Sequence, residues 1–93
     1  MNIAILGAGA WGTALAVALA SRHSVTLWAR DADQIAGMKA TCTNPRYLPG
    51  IALPDTICLS ADLPESVAHA GLILVATPSG AFRSILKQLA GLN

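Results

Sequence analysis

A glycine-rich turn between two stretches of different hydrophobic period is the feature that most constrains this chain. Before the turn, Ile3 to Leu6 is a short apolar run that is typical of a fully buried strand. After it, Ala10 to Ala20 is rich in alanine and leucine, which are strong helix formers. The turn reads Gly7-Ala8-Gly9-Ala10-Trp11-Gly12, a Gly-x-Gly-x-x-Gly placed between a strand and a helix. In this context the motif predicts a loop that binds the phosphates of a nucleotide.

Each glycine of the motif has a separate physical role. Gly7 permits a tight turn out of the strand, Gly9 lets the backbone approach a pyrophosphate, and Gly12 lets the helix pack closely on the strand. The alternative is a glycine turn that serves packing alone. No Gly-Lys-Ser/Thr follows the turn, which excludes a nucleoside-triphosphate P-loop.

The N-terminal stretch from Met1 to Ser21 is apolar and carries no charged side chain, which resembles a membrane helix or the apolar core of an export signal. However, no Lys or Arg precedes the apolar run, and glycines interrupt it, so we expect a cytoplasmic protein without a membrane span.

Six Lys and Arg against five Asp and Glu give a net charge of +1, which predicts no nucleic-acid partner. Two cysteines without metal-ligand spacing predict neither a disulfide scaffold nor a metal site.

Strands and helices are predicted to alternate along the rest of the chain. The further elements are a strand at Val25 to Ala29, a helix from Asp31 or Asp33 to Ala40, a strand at Ile57 to Leu59, a helix from Leu63 capped by Asp62, a strand at Leu72 to Ala76, and a helix from Ala81 to Leu89 after a turn at Thr77-Pro78-Ser79-Gly80. A loop is expected from Thr41 to Asp55, because its three prolines exclude a regular helix.

This alternation indicates the α/β class. We expect a Rossmann-like, doubly wound parallel sheet of about four strands in the order 3-2-1-4. A complete dinucleotide fold needs more strands than this chain supplies. Residues 1–93 are therefore expected to be the N-terminal part of an NAD(P)-binding Rossmann domain, with the C-terminal catalytic and substrate domain absent from this chain.

The end of the second strand indicates which cofactor binds. Arg30 stands where a cation would meet the 2′-phosphate of NADP(H), so NADP(H) is favoured and NAD(H) is expected to be tolerated. Asp31 either contacts the ribose or only caps the next helix. Thr77 and Pro78 follow the fourth strand beside the point where ligands bind, and either contact the nicotinamide ribose or form a simple turn.

Four segments together resemble bacterial NAD(P)-dependent glycerol-3-phosphate dehydrogenase. They are Gly7 to Ala16, Leu27 to Arg30, Tyr47-Leu48-Pro49-Gly50, and Val75 to Ser79. The resemblance implies that Ala10, Trp11 and Arg30 serve the cofactor. With the residues reasoned from the motif, the predicted cofactor-binding set is Gly7, Gly9, Ala10, Trp11, Gly12, Arg30, Thr77 and Pro78.

The resemblance also implies the reaction, a reversible hydride transfer between NAD(P)H and dihydroxyacetone phosphate that gives sn-glycerol 3-phosphate for phospholipid synthesis. The family's catalytic lysine and its substrate-phosphate ligands lie in a second, helical domain, and neither Lys39 nor Lys87 matches them. No catalytic residue is assigned here, and the chain alone is expected to bind nucleotide weakly at best and to turn nothing over. A homo-oligomer is among the expected states.

Two alternatives stay open from the residues. One is another two-domain dehydrogenase, of the hydroxyacyl-CoA or 6-phosphogluconate type, against which Trp11 and the Tyr47-Leu48-Pro49-Gly50 loop argue. The other is a non-catalytic module that senses NADPH and regulates a partner.

Overall fold

A four-stranded parallel sheet lies at the centre of the structure, a computed structural model that describes residues 1–77 and 79–91. In chain order the elements are β1 (Asn2–Leu6), α1 (Ala10–Leu19), β2 (Ser24–Trp28), α2 (Ala32–Thr41), β3 (Thr43–Asn44), β4 (Leu48–Ala52), β5 (Cys58–Ser60), α3 (Leu63–Val67), β6 (Leu72–Val75) and α4 (Ser79–Ala90). The strand order β5-β2-β1-β6 confirms the predicted order 3-2-1-4. The predicted α/β doubly wound class is confirmed as well.

The central strand β1 shows why both faces of the sheet are covered. Alternate side chains of a strand point to opposite faces. Ile3 and Ile5 belong to one buried apolar cluster, whereas Ala4 and Leu6 belong to another. The first cluster includes residues of α1 and α2, and the second includes residues of α3 and α4. Only 12% of the residues are charged, and this low fraction follows from a sheet that is buried on both sides.

Two aspartates begin helices in the way the sequence predicts. Asp31 Oδ1 accepts hydrogen bonds from the backbone N–H of Asp33 (2.9 Å) and Gln34 (3.3 Å) at the start of α2. Asp62 Oδ1 accepts one from Glu65 N–H (3.0 Å) at the start of α3. Each carboxylate satisfies backbone donors that a helix start leaves unpaired, and its charge favours the positive end of the helix dipole.

The segment from Thr41 to Asp55 corrects the prediction of a plain loop. It contains β3 and β4, which pair antiparallel with Thr43 opposite Ala52 and Asn44 opposite Leu48. The prolines do exclude a helix, but they allow a short edge strand, since proline is tolerated where no ladder hydrogen bond is needed. This β3–β4 hairpin lies outside the parallel sheet.

The start of the last helix is a second correction. We expected Ser79 and Gly80 in the turn before it, but α4 begins at Ser79. Serine is common at helix starts, and glycine, whose disadvantage in a helix is conformational entropy, is tolerated in the first turn. Pro78 lies outside the described residues.

Apolar side chains are exposed at one edge of the sheet and on α4. Strand β6 is the terminal strand of the sheet and exposes Leu72 and Ile73. Helix α4 exposes Phe82 and Leu86. Within residues 1–77 and 79–91, no helix is both long and apolar enough to cross a membrane.

Candidate functional site

A cavity of about 350 Å³ opens at the carboxyl ends of the parallel strands. Its wall is formed by the last residue of β2, by residues that follow β1, β2 and β6, by the turn of the β3–β4 hairpin, and by one residue each of α2 and α4. The lining residues are Gly7, Ala8, Gly9, Trp28, Ala29, Arg30, Asp31, Gln34, Arg46, Tyr47, Ala76, Thr77 and Ile85. Ligands of doubly wound sheets bind at this edge, where the chain winds in opposite directions from the two central strands.

The glycines at the ends of the motif are required by close backbone approach. Gly7 has φ = +122°, a conformation that L side chains rarely adopt. A Cβ on Gly7 would lie 2.6 Å from the carbonyl oxygen of Ala76. A Cβ on Gly12 would overlap the carbonyl oxygen of Gly7. Gly12 therefore lets the start of α1 rest directly on the turn, as the sequence predicts.

The middle glycine faces open space instead. A Cβ built on Gly9 meets no atom within 4 Å, so packing does not demand a glycine here. Gly9 is also the N-cap of α1, whose start has neither a capping side chain nor an acidic residue in its first turn, within the part of the chain that the structure describes. The free N–H groups and the positive end of the helix dipole are thus available to an anion.

The two charged residues after β2 have separate roles. Arg30 is exposed and lines the cavity. Asp31 also lines it, but its Oδ1 is occupied by the two N–H groups at the start of α2. Of the two interpretations open for Asp31, the structure shows the helix cap.

Asn44, which sequence patterns do not single out, fixes the glycine-rich loop of residues 7–12, called the phosphate loop below after its predicted role. Its side chain is fully buried, and Nδ2 donates 2.8 Å hydrogen bonds to the carbonyl oxygen of Ala8 and to Thr13 Oγ1. Gln34 Nε2 donates a further hydrogen bond of 3.0 Å to the same Ala8 oxygen. Two side-chain amides from different elements thus hold the loop at its centre. An asparagine in a Pro-rich segment gives no sequence signal of such burial.

Arg46 and Tyr47 are also cavity residues that the analysis of side-chain chemistry missed. Both follow Asn44 in the hairpin turn, which the backbone hydrogen bond from Tyr47 N–H to the Asn44 carbonyl oxygen (3.3 Å) closes. The Arg46 guanidinium lies over the Tyr47 ring, 5.3 Å from its centroid. Local sequence does not reveal their place in the cavity, because only the tertiary fold brings the hairpin turn to it.

The remaining predicted residues are distributed around this cavity. Thr77 lines it, and its Oγ1 is buried without a hydrogen-bond partner among the described residues. Ala10 and Trp11 begin α1, and the Trp11 indole is 68% exposed; neither lines the cavity itself. The structure thus places Gly7, Gly9, Arg30 and Thr77 on one cavity, with Gly12 beneath the turn.

Comparison with known proteins is consistent with this architecture. A family model described as the N-terminus of NAD-dependent glycerol-3-phosphate dehydrogenase matches residues 2–93. The chain is 53% identical to a glycerol-3-phosphate dehydrogenase (NAD(P)+) of Methylibium petroleiphilum, over 97% of this chain and 28% of that protein. It is 50% identical to the Nitrosomonas europaea protein of the same name, over 100% of this chain and 28% of that protein.

Solved structures give the same result. The crystal structure of a glycerol-3-phosphate dehydrogenase from Coxiella burnetii superposes with a TM-score of 0.93 at 41% identity, over 98% of this chain and 28% of that one. The chain thus spans 28% of the length of the relatives described above. The resemblance noted in the sequence is confirmed, and the chain belongs to the family of NAD-dependent glycerol-3-phosphate dehydrogenases, whose N-terminal region it matches.

Proposed function

We propose that this chain binds NADP(H), and also NAD(H), as the N-terminal part of a glycerol-3-phosphate dehydrogenase. The observation that carries the proposal is the open space at Gly9 beside the uncapped start of α1. At Gly7 and Gly12 an added Cβ would meet backbone atoms, so packing accounts for these two glycines. A ligand that approaches the backbone accounts for Gly9, where open space lies beside the free N–H donors at the start of α1.

The residues of the cavity fit a dinucleotide. The pyrophosphate would lie over Gly7 and Gly9 at the start of α1, and the adenosine end would extend along β2 toward Arg30. The unpartnered Thr77 hydroxyl stands on the other side of β1, where the nicotinamide ribose would complete its hydrogen bonding. Ala10, Trp11 and Gly12 would contribute through the first turn of α1, and Pro78 through the segment after β6.

The bound cofactor would supply the hydride, and this chain would hold it in position. The substrate pair is dihydroxyacetone phosphate and glycerol 3-phosphate, in keeping with the reaction for which the relatives are named. We assign no catalytic residue to this chain and place catalysis in a C-terminal domain, so that residues 1–93 form the N-terminal part of the Rossmann domain. A cytoplasmic location and a homo-oligomeric state belong to the same proposal.

Nucleotide titration of a matched pair of variants tests the binding site. Gly9→Ala should raise the Kd for NADPH by at least about tenfold, because its methyl group occupies the space of the pyrophosphate. The cost in stability should stay below about 1 kcal/mol, the range for a changed N-cap. Gly37→Ala is the control, since that position is in a helix, away from the loop, and also faces open space. Equal affinities of the wild type and Gly9→Ala would contradict the proposed site.

The reaction is tested on the full protein that the gene encodes. NADPH oxidation should depend on dihydroxyacetone phosphate and be absent with 3-oxoacyl-CoA or with ribulose 5-phosphate and carbon dioxide. The same assay on the 93-residue chain should show no turnover. Turnover with either alternative substrate would show that the protein is a dehydrogenase of another substrate class. Tight NADPH binding by the full protein without any turnover would favour a sensing module.

A further inference from the structure

The hairpin turn brings a second cation to the adenosine end of the cavity. Arg30 reaches the cavity from the end of β2, whereas Arg46 reaches it from the β3–β4 hairpin. The charged side chains among the lining residues are Arg30, Arg46 and Asp31, which gives two positive charges and one negative charge. Because Asp31 Oδ1 already caps α2, the cavity presents an excess of hydrogen-bond donors to a ligand.

Arg46 is held in place although its side chain is exposed. Asn44, two residues earlier, is fully buried and bonded to Ala8 and Thr13, which fixes the turn relative to the phosphate loop. The Arg46 guanidinium also lies over the Tyr47 ring, 5.3 Å from its centroid, and this cation–π attraction favours that position. Attraction to a ring face does not pair the guanidinium N–H groups with an acceptor, so they can still form a bidentate bond to a phosphate.

On this basis we propose that Arg46 is a specificity-determining residue that pairs with Arg30 around the 2′-phosphate of NADP(H). The inference rests on the proposed cofactor site and adds a group from outside the strand–helix units that form it. A 2′-phosphate carries nearly two negative charges, which a single arginine does not neutralise. NAD(H) has a hydroxyl at this position, so removing Arg46 should affect its binding little.

The test measures the Kd of NADPH and of NADH for Arg46→Ala in the full protein that the gene encodes. The Kd for NADPH should rise about tenfold and that for NADH by less than about twofold. Arg46→Lys keeps the charge without the planar fork and should lie between wild type and alanine. Arg22→Ala is the matched control, because Arg22 is an exposed arginine in the turn before β2, at the opposite end of the strands, and should change neither constant.

A pair of smaller probes isolates the phosphate. Arg46→Ala should weaken the binding of adenosine 2′,5′-bisphosphate but leave that of AMP unchanged, and its thermal unfolding midpoint should match that of Arg22→Ala. An equal loss for both nucleotides would assign Arg46 to the shared adenosine and overturn the specificity role, as would no loss for either. Failure of the wild-type protein to bind any of these nucleotides would instead overturn the proposed cofactor site, and this inference with it.

Discussion

The side-chain amide of Asn44 donates a 2.8 Å hydrogen bond to Thr13 Oγ1 and so joins the β3–β4 hairpin to the first turn of α1. Both side chains are fully buried. The same nitrogen donates to the carbonyl oxygen of Ala8, in the middle of the phosphate loop. One amide therefore couples the hairpin, the loop and the helix that together surround the proposed pyrophosphate position.

Asn44→Ala should lower the free energy of unfolding by about 1–3 kcal/mol, since it leaves buried polar groups with fewer partners. Asn44→Asp should cost more, because an ionised carboxylate cannot donate to the Ala8 carbonyl oxygen, which would then face a second acceptor in a buried site. Urea unfolding followed by circular dichroism measures both. Asn2→Ala is the control, as Asn2 is exposed and its amide makes a longer bond of 3.3 Å. Equal effects at Asn2 and Asn44 would contradict the coupling role.

The site divides into parts that sequence predicts and parts that it does not. The turn at Gly7, the close packing at Gly12 and the position of Arg30 follow from local rules, because strand, loop and helix are consecutive in the chain. Asn44 and Arg46 lie far from the loop in sequence, as the separation of 36 residues between the bonded Asn44 and Ala8 shows. The sequence around them has no hydrophobic periodicity that would predict which way either side chain points.

Gly12→Ala should disturb both stability and binding. The added Cβ would overlap the carbonyl oxygen of Gly7, a backbone atom that cannot rotate away. We expect a loss of about 1–3 kcal/mol, typical of overpacking, and weaker NADPH binding because α1 must move off the loop. Gly37→Ala should instead gain about 0.5–1 kcal/mol from helix propensity, as its Cβ meets open space. Thermal unfolding and NADPH titration measure the stability and the NADPH affinity of the two variants. Equal stabilities and equal affinities would contradict the packing role of Gly12.

Asp31 is expected to act as a helix cap and not as a reader of the ribose. Asp31→Ala should cost about 1 kcal/mol of stability, and Asp31→Ser should restore most of it, because serine also accepts from the N–H groups of α2. With the cap restored, the Kd for NADH should remain within about twofold of wild type. A large loss of NADH affinity in the serine variant would show that the carboxylate contacts the cofactor.

Arg30→Ala should weaken NADPH binding about tenfold while changing NADH binding by less than about twofold, since only NADPH carries the phosphate that the guanidinium would meet. Isothermal titration of the single variant and of the Arg30→Ala, Arg46→Ala double variant measures the effect. If both arginines contact one phosphate, the two losses should not add, because residues that share a partner are coupled. Additive losses would place the arginines on different parts of the nucleotide.

The exposed apolar groups on β6 and α4 predict that the chain associates with itself. Leu72 and Ile73 are 42% and 38% exposed on a strand that, among the residues described, pairs on one side only, and such an edge is a template for pairing. Phe82 and Leu86 extend the exposed apolar surface along α4. Sedimentation velocity over a concentration series should show growing oligomers, and Ile73→Lys combined with Leu86→Glu should reduce them. Ile51→Lys is the control. Ile51 lies in the hairpin and is 44% exposed, much like Leu72 and Leu86, so its replacement should leave association unchanged. A wild-type chain that stays monomeric at every concentration would contradict this prediction, because unpaired strand groups and exposed apolar surface favour pairing.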